Sequence, residues 1–341
     1  GGGGGGAASG STSGAGGSGI VIVRYPKIAF PSPNVASMRP RKAITVTSDG
    51  EPVFNGVVED WDIAYSLDGD HVAGVKATDG FVFLANENID AHTTSAQDTG
   101  ARIEAILDRS EINWPAGKRN IDSGTEALQA DTIEAGQNAL EYLKKVDEAE
   151  QGALFIAADG RLTFRDKSSV QTLANVKFAD DGTGIPFTSI DAAYGSEELR
   201  NRVTVSRLNG GTATAEDTDS ITAYGAIDYE IRDTLLSTDA QAQALADLIV
   251  TRYAEPLLRI DSVEVVTNAL TAEQTTDALA LELGDLVEIV YTPSGIGDPI
   301  NQFVRIDSIE HTIDAAQHRI KFSFSRGEGV ALVLDSAAFG I

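Results

Sequence analysis

This sequence contains no cysteine. The side chains that could support acid–base or metal chemistry are therefore its histidines and carboxylates. The four histidines are His71, His92, His311 and His318. His311 and His318 lie seven residues apart across a predicted turn, which is not the one-turn helical spacing of a zinc-binding pair. We therefore interpret the histidines as surface or strand residues and expect no metal site.

Three pairs of adjacent acidic residues are candidates for a paired-carboxylate site: Glu59-Asp60, Glu197-Glu198 and Glu216-Asp217. Glycoside hydrolases place two carboxyl groups on either side of the scissile bond. Adjacent residues of a strand point to opposite faces of the sheet, which argues against a shared site. No Gly-x-Ser-x-Gly nucleophile motif occurs either. We expect no catalytic residues and no enzyme activity, and a cell-wall hydrolase stays the less favoured alternative.

Glycine patterns match two ligand-binding motifs by letter only. Gly14-Ala15-Gly16-Gly17-Ser18-Gly19 fits a dinucleotide-binding pattern, but that motif needs a strand before it and a helix after it. Here a glycine-rich tract precedes the pattern and a predicted strand follows it. Asp-Gly recurs at positions 49, 68, 79, 159 and 181, and Ca²⁺ would need a denser run of oxygen ligands. Asp-Gly dipeptides favour tight turns, so we interpret them as turns. From the two patterns together we expect no cofactor.

The charge of the chain limits its partners. The 341 residues are 42% hydrophobic and carry a formal net charge of −25. Such a surface repels nucleic acid, so a DNA-wrapping role is disfavoured. Two interpretations stay open: the charge provides solubility, or carboxylates line a conduit through which DNA passes. We find neither a signal peptide nor an apolar stretch long enough to span a membrane.

Strand patterns dominate the N-terminal third that follows the glycine-rich start. Residues 43–47 and 53–58 predict a hairpin around Asp49-Gly50, and residues 61–66 and 72–77 predict a second pair around Asp68-Gly69. The spacing of the apolar residues then changes to a helical period. Two helices are predicted, one from about Thr99 and one over about 132–149.

Strands resume after a hairpin predicted around Asp159-Gly160. Short strands are predicted at 201–208, 220–224 and 226–231, followed by a helix that Ser237 or Thr238 caps and Pro256 ends. Further strands are predicted at 257–267, 285–291, 302–311 and 319–325.

These elements predict a mainly β (α+β) fold with two tube-forming β-barrel domains and a small inserted α/β domain. The expected boundaries are 1–36 for a glycine-rich segment and linker, 37–98 for the first barrel (completed by about 168–198), 99–167 for the insert, 199–325 for the second barrel with one helix, and 326–341 for a C-terminal tail. Because the sequence starts at Gly1, we expect it to be a piece of a longer polypeptide.

Several stretches, taken in order, resemble the hub-type minor tail proteins of long-tailed bacteriophages, especially phages of actinobacteria. They are Phe54–Trp61; Gly100–Asp108 with Trp114-Pro115, Arg119–Gly124, Gln151–Phe155 and Asp159–Phe164; Asn201–Val205 with Asp239–Ala242, Tyr253–Pro256 and Leu283–Val287; and the ending Leu334–Gly340. The ending departs from the family pattern because it lacks the usual acidic-Pro pair. Gly16–Tyr25 separately resembles the end of the glycine-rich domains of phage tail adhesins.

The resemblance implies a structural role in the virion, at the tail tip. It implies a homotrimeric hub whose two barrels per subunit form a ring, join the tail tube or distal tail protein, and form or close the DNA channel. The implied partners are the tape measure protein and tail fibres or a spike, with DNA only in transit and the host cell surface reached through other parts. The family offers no catalytic residues to carry over. A receptor-binding tail adhesin is the alternative.

Overall fold

The computed structural model describes residues 21–24, 39–64, 72–293, 299–314 and 316–326, and it is mostly β. The strands are β1 Val21–Arg24, β2 Ala43–Ser48, β3 Glu51–Ala64, β4 Val72–Thr78, β5 Asn88–Ile89, β6 His92–Thr94, β7 Gln97–Asp98, β8 Arg119–Ile121, β9 Ala127–Leu128, β10 Asp131–Ile133, β11 Gln137–Asn138, β12 Ala153–Ile156, β13 Leu162–Arg165, β14 Leu173–Ala179, β15 Ser189–Tyr194, β16 Arg202–Arg207, β17 Thr212–Glu216, β18 Asp228–Thr234, β19 Leu258–Val266, β20 Leu286–Tyr291, β21 Ile300–Ile313 and β22 His318–Arg326. The α-helices are α1 Phe81–Asn86, α2 Thr99–Leu107, α3 Ala139–Glu150, α4 Thr218–Tyr224, α5 Asp239–Tyr253 and α6 Ala272–Ala280.

The chain divides into two compact units. The first unit contains residues up to 168 together with 194–258, and the second unit contains 169–193 together with the residues from 259 onwards. Among the described residues, no helix is long and apolar enough to cross a membrane.

An antiparallel sheet begins the first unit, in the strand order β1-β4-β3-β2. The predicted hairpin around Asp49-Gly50 is confirmed: β2 pairs with β3, and both turn residues have positive φ, 51° and 91°. Two-residue hairpin turns of this kind require positive φ, which matches the twist of the flanking strands. Asp and Gly adopt this conformation readily, which explains why they occupy the turn. β3 and β4 also pair as predicted, while Asp68-Gly69 lies outside the described residues.

Two helices of the first unit are buried along one side each. Ile103, Ile106 and Leu107 of α2 face the same core as Leu143 and Val146 of α3. The prediction that α3 starts near residue 132 is wrong. Its first turn lies at 139, because residues 131–133 pair with β6 and the side chain of residue 138 caps the helix. A capping carbonyl satisfies a backbone N–H that the first turn cannot bond internally.

A three-stranded sheet, β17-β16-β18, packs against α5 in that same core. The predicted cap of α5 is confirmed, since Thr238 and Gln241 form a reciprocal capping box. The strand predicted at 220–224 is wrong: these residues belong to α4. Asp217 accepts hydrogen bonds from the backbone N–H groups of Asp219 and Ser220 and starts that helix.

The second unit is built on a six-stranded sheet, in the order β14-β20-β21-β22-β19-β15, with the helix α6. Alternate residues of β22 are buried, including Ile320 and Phe322, so one face of the sheet carries the core. The rings of Phe178 and Phe322 pack with their centroids 5.1 Å apart. This contact joins the edge strand β14 to the centre of the sheet.

The expected pair of closed β-barrels is not found among the described residues. A barrel requires its first and last strands to pair, whereas the four-stranded and six-stranded sheets are both open. In the second unit, β14 pairs in parallel with β20, and among the residues that the structure describes its other side makes an isolated bridge from Phe178 to Ile185. Residue alternation predicts which strands are half-buried, but it does not specify which strands become edges.

Candidate functional site

The structure brings two of the four histidines together. Nδ1 of His311 and Nε2 of His318 are 2.9 Å apart on the paired strands β21 and β22; His318 is buried and His311 is partly buried. Burial, reinforced by the neighbouring ring of His318, lowers the pKa of His311 to about 4. The sequence separation of seven hides this contact, because hairpin pairing rather than helical spacing creates it. His92 is exposed on β6, and His71 lies outside the described residues.

Two residues of the candidate acidic pairs make local backbone contacts: Asp60 accepts a hydrogen bond from the N–H of Trp61, and Asp217 caps α4. Asp159 and Asp181 accept bonds from the N–H groups two residues ahead, as turn residues do. No cluster of three or more metal-ligating side chains occurs among the described residues.

The glycine pattern at 14–19 lies outside the described residues. Strand β1 follows it at residues 21–24, where a phosphate-binding loop would need the N-terminus of a helix.

A buried carboxylate that the sequence did not single out lies at the end of α3. The side chain of Glu150 accepts hydrogen bonds from the hydroxyl groups of Thr99 and Thr125, both at 2.6 Å. It also accepts bonds from the backbone N–H groups of Thr125, Glu126 and Lys167, at 2.9–3.1 Å. Both carboxylate oxygens thus accept all the hydrogen bonds they can, from donors that the fold holds in place. The side chain therefore holds these chain segments together and has no lone pair left for substrate chemistry.

A buried guanidinium forms a second tie in the same unit. Arg102 donates hydrogen bonds to the hydroxyl of Tyr142 at 2.7 Å and to the carbonyls of Ser95 and Gln129 at 2.8 Å. Burial raises the pKa of Tyr142 to about 12, against the opposing effect of Arg102. The phenol therefore stays protonated at neutral pH and acts as a hydrogen-bonding group rather than as a base.

One open groove of about 400 Å³ lies in the second unit, and we call it the acidic groove. It is lined by Leu173–Lys177 of β14, by Gly182–Ile185, by Glu273, Gln274 and Asp277 of α6, and by Glu288 of β20. Gln274 donates a hydrogen bond to the carbonyl of Gly184 and fixes α6 beside this loop. The sequence did not reveal the groove, because neither α6 nor the placement of β14 beside β20 was predicted. Small-molecule sites are mainly apolar, and these acidic side chains instead suit a cationic partner.

The described residues thus include buried, hydrogen-bonded side chains and open sheet edges. Among the described residues, each outer strand of the four-stranded and six-stranded sheets pairs in a ladder on one side only, and open edges of this kind can pair with other chains. The candidate functional features are the strand edges and the acidic groove.

The chain has a fold that is shared with phage and prophage tail proteins. The 43 kDa tail protein of prophage MuSo2 from Shewanella oneidensis matches with a TM-score of 0.62 at 18% identity, covering 92% of this chain and 91% of that one. The tail protein from Neisseria meningitidis MC58 matches with a TM-score of 0.63 at 14% identity, covering 89% and 86%. Prophage tail protein gp18 from Listeria monocytogenes EGD-e matches with a TM-score of 0.54 at 12% identity, covering 94% and 88%. No protein-family model and no curated protein sequence matches the chain.

Proposed function

We propose that the protein is a structural component of a phage tail, placed at the tail tip as a hub that joins the tail tube to fibres or a spike. The observation that carries the proposal is the shared fold over nearly the whole length of both chains, since 92% of this chain aligns with 91% of the MuSo2 tail protein. Similarity of this extent includes the order of the elements and not only one motif. Fold alone does not define a function, so the placement needs its own test.

The architecture supports assembly as the mode of action. Open sheets can be continued by the strands of neighbouring subunits, which is how separate chains build a continuous β-structure. A closed ring of identical subunits places the same surfaces in contact around one axis. We propose that this ring is a homotrimer, that it completes the tube-forming layers expected from the sequence, and that it contacts the tail tube or distal tail protein and the tape measure protein.

The decisive experiment is immunogold labelling of intact virions of the phage that encodes the chain, with antibodies against the purified protein. The proposed placement expects gold at the end of the tail distant from the head. Label along the whole tail or on the head would contradict a tail-tip hub, and label on the distal fibres alone would favour the receptor-binding alternative. Light scattering of the purified chain, followed by negative-stain imaging, tests the trimer separately: a mass three times that of one chain and a ring with a central hole are expected.

A further inference from the structure

The charges of this chain are divided sharply along its sequence. The first 48 residues contain five basic side chains and no acidic one, so all 51 acidic residues follow residue 48. Arg39-Pro40-Arg41-Lys42, which we call the basic segment, is the only four-residue window of the chain with three basic residues. An asymmetry of this kind indicates an electrostatic partner of opposite sign.

The basic segment is held in place on the first unit and exposes its side chains. The N–H of Arg41 donates to the carbonyl of Val58, and the N–H of Val58 donates to the carbonyl of Lys42, at 2.6 and 2.9 Å. The guanidinium of Arg41 lies over the ring of Phe83, 5.5 Å from its centroid. All four residues of the segment are exposed. Because the backbone is already ordered, binding through this segment loses little conformational freedom.

The acidic groove of the second unit has the complementary charge. Glu273 and Asp277 are both exposed and lie one helical turn apart on α6, so their carboxylates share a face. Glu288 adds a third carboxylate, and only Lys177, its register neighbour on β14, brings a positive charge to the lining. Among the described residues, none of these three carboxylates is in an ion pair. The groove also runs along the edge strand β14, whose Leu173 is 48% exposed.

We propose that the acidic groove binds the basic segment of a second copy of this chain. Two chains of net charge −25 repel each other at long range, so local contacts of opposite sign favour their association and select its orientation. The basic segment of one subunit and the acidic groove of the next form such a contact. The contact is head-to-tail, because it joins two different surfaces, and contacts of this type build a ring when the rotation between neighbours closes. The inference rests on the self-association that the proposed function requires, and it names the surfaces responsible.

The test is a charge swap followed by sedimentation velocity on the full chain. The segment variant is Arg39→Glu/Lys42→Glu, which leaves Arg41 on Phe83, and the groove variant is Glu273→Lys/Asp277→Lys. Each variant alone is expected to weaken self-association about tenfold or more in Kd, and the four changes combined are expected to restore it to within about threefold. The isosteric variant Glu273→Gln/Asp277→Asn removes the two negative charges of α6 without adding positive ones. It should therefore also weaken association, but less than the charge reversal does.

Matched controls come from exposed charges outside both surfaces. Lys118→Glu and Glu134→Lys change the net charge by the same amount per site and should leave the Kd within twofold of the unmodified chain. Self-association that survives both reversals, a combined variant that stays dissociated, or an unmodified chain that remains monomeric would each overturn the inference. Tail-tip labelling of virions is independent of these results, so failure of this contact and failure of the proposed function are distinguishable.

Discussion

Replacing Glu150 by Gln should destabilise the first unit markedly while preserving its shape. The side chain keeps its size, but one oxygen becomes an NH₂ group that faces N–H donors at 2.9–3.1 Å. The hydroxyls of Thr99 and Thr125 can rotate to accept, whereas backbone N–H groups cannot. Leaving one or two buried donors unsatisfied costs about 1–3 kcal/mol each, so the expected loss in the free energy of unfolding is about 3 kcal/mol. Glu150→Ala should cost more, because it removes every acceptor and leaves a cavity.

The assay is urea and thermal unfolding followed by circular dichroism. A loss of about 3 kcal/mol corresponds to a decrease in Tm of roughly 6–12 °C for a unit of this size. The matched control is Glu141→Gln on the exposed side of the same helix, where the ion pair with Lys144 is solvated and its loss should cost under about 1 kcal/mol. A Tm of Glu150→Gln equal to that of Glu141→Gln would refute the reasoning that fixed backbone donors determine the cost.

Three further predictions concern the histidine pair, the buried guanidinium and the helix cap. Because the pKa of His311 is lowered to about 4 in the folded state, the unfolded chain binds a proton first, and stability should fall from about pH 6.5 to pH 4. His311→Phe should flatten this decline, as acid titration of unfolding would show. Arg102→Met should lower the free energy of unfolding by about 3 kcal/mol and Tyr142→Phe by about 1 kcal/mol in urea titrations, since the first loses three hydrogen bonds and the second one; equal effects would contradict this. Thr238→Ala should cost about 1 kcal/mol by removing half of the capping box, and hydrogen exchange at the start of α5 should rise.

Local features of the fold were predictable from the sequence. The Asp49-Gly50 hairpin and the cap of α5 depend on residues within a few positions of one another, and both are found where their patterns place them. One error occurred where a nonlocal partner intervened. The start of α3 moved to residue 139 because the preceding residues pair with β6, about 40 residues earlier in the chain.

The candidate site was much less predictable. The acidic groove combines β14 with α6 and β20, which follow it roughly a hundred residues later in the sequence, and the sequence analysis assigned no helix to residues 272–280. Its capping box, Thr271 with Gln274, is the signal that could have indicated the helix. No comparable signal marks the parallel pairing of β14 with β20, since strand patterns do not specify partners.

The sequence by itself determined the mostly β character, the tight turns, the acidic charge and its confinement to the residues after position 48, because these are properties of composition and of near neighbours. Only the tertiary structure decided that the sheets are open, that His311 meets His318, and that Glu150 gathers donors from three separate segments. These outcomes require distant segments to meet, and they depend on the packing of the whole unit rather than on any local preference.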